Sequence, residues 1–153
     1  TGEGVLIRKS GKQAINYINK KLEDGNLSIY TLEKGNDNDV ASFFNNMWNR
    51  GRKVTNTGKK TKNDPNAKVV DEYNLMDNNC TTKTIEGVNY RQSIPLVPAE
   101  ETTTMQDFGG SYNYKNKIIS PSQLKRMLDE VSRKHPNNIV KVKNPQEFIN
   151  NLQ

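Results

Sequence analysis

"VVDEYNLMDNNCTTKTIEGV", residues 69–88, is the stretch on which the fold turns. Val69–Tyr73 reads as a short extended segment. Asn78 or Asn79 then offers a side-chain oxygen to cap a helix, since asparagine accepts from the free amides of a first helical turn. Cys80–Val88 contains no proline, and Ile85 and Val88 give it one modest apolar side. The segment therefore predicts strand, turn and helix, with Cys80 at the first helical position.

The flanking sequence repeats that interleaving. Gly4–Arg8 reads as a strand, followed by Ser10 as a helix cap with Gln13 placed to complete a capping box. Ala14, Ile15, Ile18 and Leu22 recur at helical spacing, and Gly25-Asn26 ends the run. Leu27–Glu33 alternates like a half-buried strand. A second helix is predicted over Asp39–Arg50, capped by Asp37 or Asn38 and stopped by Gly51. Its Val40, Phe43, Phe44, Met47 and Trp48 are expected to anchor the domain. Ser120-Pro121-Ser122-Gln123 is a helix start with proline at the first position, and Asn144-Pro145-Gln146-Glu147 repeats it. Ile139–Val142 reads as a strand between them. The expected class is α+β, a small antiparallel sheet packed with several helices, with α/β as the other arrangement such interleaving allows. One domain is expected over residues 1–153, with a solvated loop at 52–67 and a long irregular loop at 89–117.

Composition narrows the function. Apolar residues make up 32% of the 153, low for a globular domain, so the core must be small. No apolar run reaches the roughly 20 residues that cross a bilayer. The chain starts with Thr1 rather than methionine, which fits a piece of a longer protein. The net charge of +6 suits an anionic partner, whether nucleic acid, wall polymer or acidic protein, and is densest over Arg50–Lys62. No Cys/His spacing suits a metal, and no cofactor is expected.

Cys80 is the only cysteine, so no internal disulfide can form. Two readings of it are open. It is either a small buried side chain or a nucleophile, because free amides and the macrodipole at a helix start favour a thiolate.

Tyr73-Asn74-Leu75 and Asn78-Asn79-Cys80-Thr81-Thr82, followed by a short helix, resemble the nucleophile segment of papain-like cysteine hydrolases of the permuted NlpC type. The resemblance is to versions that form C-terminal toxin domains of bacterial polymorphic and RHS-type effectors, and it covers about residues 69–88. It implies a papain-like core, incomplete at the N-terminus here, and amide hydrolysis by amidase or protease chemistry. Cys80 would attack the carbonyl, with Asn79 and Thr81 as oxyanion or orienting groups. It also implies delivery into a target bacterial cell, a peptide or peptidoglycan substrate, and an immunity protein, expected to be acidic. In that family the base is a histidine upstream on a strand. The single histidine here is His135, in Arg133-Lys134-His135-Pro136. The base is therefore either His135 or a histidine upstream of Thr1. Two other functions remain: a nucleic-acid toxin using Trp48 beside Arg50, Arg52 and Lys53, and an interaction domain without catalysis.

Overall fold

The computed structural model describes residues 2–56 and 60–153. The architecture is α+β. A three-stranded antiparallel sheet has the order β1 (Gly2–Ile7), β4 (Ala67–Tyr73), β3 (Arg52–Lys53). A two-stranded sheet joins β2 (Tyr30–Leu32) to β7 (Ile139–Lys141), and a hairpin is formed by β5 (Glu100–Asp107) and β6 (Gly110–Lys117). The helices are α1 (Gly11–Glu23), α2 (Asp37–Arg50), α3 (Cys80–Val88), α4 (Pro121–Lys134) and α5 (Pro145–Asn151).

The central strand β4 buries Ala67 and Val69 on one face, where they meet Val54 and, at the edge of that cluster, Val5. On the other side, β1 pairs with β4 through a bulge: Gly4 lies opposite Asp71 and Val5 opposite Val69, which leaves Val70 unmatched. Gly4 is required at this close approach, since a Cβ there would come within 2.9 Å of the Asp71 carbonyl oxygen. A bulge bends its strand and re-aims the neighbouring side chains. Here the bulged residues face the turn that carries Cys80.

A second core joins α3, α4 and the segment between them. Ile85, Val97, Ile118 and Met127 are buried together, with Leu32, Val88, Leu124, Leu128 and Val131 packed around them. Ile139 and Ile149 are fully buried as well. The aromatic stripe of α2, expected as the anchor, is only half-buried: no residue of that helix is fully enclosed. Phe43 and Phe44 instead stack edge to face at 5.1 Å, and Phe43 reaches Tyr90.

Most predicted elements form within a few residues of their expected bounds. Three expectations are corrected. The irregular loop at 89–117 contains the regular hairpin β5–β6, paired from Glu100↔Lys117 to Asp107↔Gly110. Nearly all of its residues face solvent on both sides, so it carries no alternation of buried and exposed positions. The capping box expected at Ser10 does not form, because the Ser10 side chain makes no cap hydrogen bond and the Gln13 oxygen accepts from Asn66 instead. The 52–67 loop is solvated in part, but Arg52–Lys53 forms β3 and Val54 is buried. Residues 57–59 of that loop lie outside the described residues.

Candidate functional site

The turn before Cys80 is built by asparagines. The Asn74 side chain accepts from the Met76 and Asp77 amides at 3.1 and 2.7 Å, and the Asn74 amide donates to the Asn78 carbonyl at 2.9 Å. Asn78 donates its side-chain amide to the Glu72 carbonyl, tying the turn back onto β4. Asn79 is the helix cap. Its oxygen accepts from the Thr81 and Thr82 amides at 2.9 and 3.0 Å, and the Thr82 hydroxyl in turn accepts from the Asn79 backbone amide at 2.9 Å. The Asn79 nitrogen donates to the Leu75 and Ile119 carbonyls, both at 2.9 Å.

This arrangement commits both residues expected as oxyanion or orienting groups to local structure. The Asn79 side chain spends both its donor and its acceptor on structure and is only 6% exposed. The Thr81 amide is occupied by that cap, and Thr81 is buried. Neither group is free to meet an oxyanion. The amide of Cys80 itself, which precedes the capped amides, has no hydrogen-bond partner among the described residues.

Cys80 is exposed, which sets aside the reading of it as a buried filler. It lies between two depressions, and Cys80 and Thr84, one helical turn apart, line both. The first, about 220 Å³, is walled by Val5 and Leu6 of β1, Phe44 and Met47 of α2, and Val70–Tyr73 of β4. The second, about 560 Å³ and more open, is bounded by Gly25–Ser28, Tyr30 and the N-terminal half of α4.

Charges near the sulfur are held in place. Lys83, one turn beyond Cys80, lies 3.2 Å from both the Asp71 and the Glu86 carboxylates. The Glu72 amide, the Asn78 side chain and Lys83 hold the Asp71 carboxyl below the usual carboxylate range. On the side of the second depression the Tyr30 hydroxyl donates to Asp129, which also pairs with Lys125 and Lys141, each at 2.9 Å. Burial and the Asp129 charge push the Tyr30 phenol up to about 12. Among the described residues that line the two depressions there is no imidazole.

His135 stands elsewhere. It is the exposed C-cap of α4, with its amide donating to the Val131 carbonyl at 2.7 Å. Leu128 is the last residue of α4 at the second depression, and a helix rises about 1.5 Å per residue, so His135 lies roughly 10 Å further along the axis. The structure does not bring Cys80 and His135 together at either depression.

The Trp48 ring is also committed. The Arg8 guanidinium lies 3.7 Å and the Lys68 ammonium 3.9 Å from its centre, and its indole N–H donates to the Asn66 carbonyl at 2.9 Å. A ring covered by cations is a poor platform for stacking a base.

No protein-family model, curated protein or solved structure matches the chain. Among the described residues no helix is long and apolar enough to cross a membrane.

Proposed function

We propose that the chain is the nucleophile-bearing part of a papain-like cysteine hydrolase, an amidase or protease acting as an antibacterial effector toxin. The observation that supports this most is the placement of Cys80: exposed, first in a capped helix, between two depressions, with its own amide unpartnered among the described residues. The thiolate would attack an amide carbonyl, and the Cys80 N–H would donate to the oxyanion as it forms. An imidazole must take the thiol proton and return it to the leaving amine. In the family the chain resembles, that imidazole sits on an upstream strand. The reading places it there, on a strand added to β1, whose outer edge is unpaired among the described residues and whose Gly4, Val5 and Leu6 line the Cys80 depression. The partner in this reading is an acidic immunity protein, and the substrate is a peptide or a peptidoglycan stem.

The test is growth of bacteria producing the protein at its natural length. Cys80→Ala is expected to abolish growth inhibition while the protein still folds. Inhibition unchanged in that variant rejects the hydrolase.

A further inference from the structure

The sheet carries a second feature, remote from Cys80. In the ladder between β3 and β4, Lys53 stands directly opposite Lys68. Like charges facing each other across a strand pair are unfavourable. Lys62, from the turn before β4, lines the same depression of about 380 Å³ as these two lysines. Among the described residues none of the three makes an ion pair, whereas Lys83, Lys117, Lys125, Lys134 and Lys141 all do. One carboxylate, Asp64, lines the depression with them; it accepts from the Asn66 amide at 2.8 Å and forms no ion pair with the three lysines among the described residues. Three cations and one carboxylate thus share a concave surface, an excess of two positive charges (three against one) among its described lining residues, with the Lys68 ammonium set over the Trp48 ring.

We infer that this depression is a docking site for an acidic polypeptide surface. Excess positive charge in a concavity is what an oppositely charged partner neutralises. A protein is favoured over nucleic acid on the chemistry present. The nearby aromatic, Trp48, is covered by Arg8 and Lys68, so no ring is offered to a base. The cations are lysines, compact point charges without the planar fork that reads phosphates in pairs. None of the residues around this depression lines either cavity beside Cys80, so the inference stands whether or not Cys80 is a nucleophile.

The probe is fluorescently labelled poly-L-glutamate, followed by anisotropy at low and high salt. The triple variant Lys53→Gln, Lys62→Gln, Lys68→Gln is expected to bind about tenfold more weakly. A control that removes the same charge elsewhere, Lys20→Gln, Lys34→Gln, Lys143→Gln, is expected to bind nearly as the unaltered chain does. Lys53→Glu gives a second readout: it turns the cross-strand repulsion into attraction, so the melting midpoint should rise while polyglutamate binding falls. Equal losses in the two triple variants would reduce the effect to net charge and overturn the inference. Displacement of polyglutamate by a DNA duplex of equal charge would reassign the surface to nucleic acid and overturn it as well.

Discussion

Asn79 decides where Cys80 sits. Its amide closes the first turn of α3 on one side and holds two carbonyls on the other, one of them Ile119, far along the chain. Replacing a capping asparagine by alanine costs about 1–2 kcal/mol. Here the Leu75 and Ile119 carbonyls also lose their donor, so Asn79→Ala is expected to cost about 2 kcal/mol or more in urea denaturation. Asn78→Ala removes the side-chain bonds to the Glu72 carbonyl and the Asp71 carboxylate at an exposed strand end and should cost about 1 kcal/mol. The sequence N-N-C marks a cap but does not choose between the two asparagines, since either fits the local pattern. The choice is made by the Ile119 carbonyl, a tertiary contact that no local spacing encodes. For the same reason Asn79 was legible as important but not as fully committed to structure.

At the scale of elements, α2 meets α3 where Gly87 faces Phe44. A Cβ at Gly87 would overlap the Phe44 ring and come within 3.0 Å of Phe43 Cδ1. Glycine to alanine inside a helix normally stabilises by about 1 kcal/mol. At this contact the sign is expected to reverse, with Gly87→Ala destabilising by about 1–3 kcal/mol through overpacking. A higher melting midpoint for that variant would show that the two helices do not meet as described. Elements with both a periodic apolar stripe and a cap were legible: α4 starts at Ser120 with the reciprocal Ser120–Gln123 bonds its sequence implies. The β5–β6 hairpin was not legible. Its exposed residues include Met105, Tyr112 and Tyr114, and Phe108 at the tip is wholly in solvent, so no burial pattern marks the strands. Their pairing is held by the ladder itself and by anchors at the base, Glu101 to Arg126 and Lys117 to Asp77.

For the whole molecule, stability should depend on pH at both extremes. The Glu3 carboxylate accepts from the Thr55 hydroxyl, the Thr55 and Asn56 amides and Arg52, joining β1 to the segment after β3. These bonds, the Thr55 hydroxyl foremost, lower its pKa from an ordinary 4.5 to about 2. A depressed carboxylate contributes stability that is complete above its unfolded pKa and lost as the proton binds in the fold. Stability should therefore fall as pH drops from about 4.5 towards 2, and Glu3→Gln should flatten that slope in denaturant titrations. Tyr30 has the opposite sign. With its pKa raised from 10.0 to about 12, its contribution is complete below pH 10 and lost between 10 and 12. Tyr30→Phe should remove the alkaline loss in that window. The α+β class was legible from interleaved signals, but the division of a small core into two clusters was not. Val97 belongs to a stretch whose prolines, threonines and glycines read as loop, and Ile118 directly follows it, yet both bury beside Ile85 and Met127.

The central claim is that the sulfur at the front of α3 is a reactive nucleophile rather than an idle surface thiol. Its most direct test is the rate of Cys80 alkylation by iodoacetamide at neutral pH in the folded protein, followed by mass spectrometry beside free cysteine and a urea-unfolded sample. Cys80 is expected to react faster folded than in either reference. A folded rate equal to or below that of free cysteine would contradict the account.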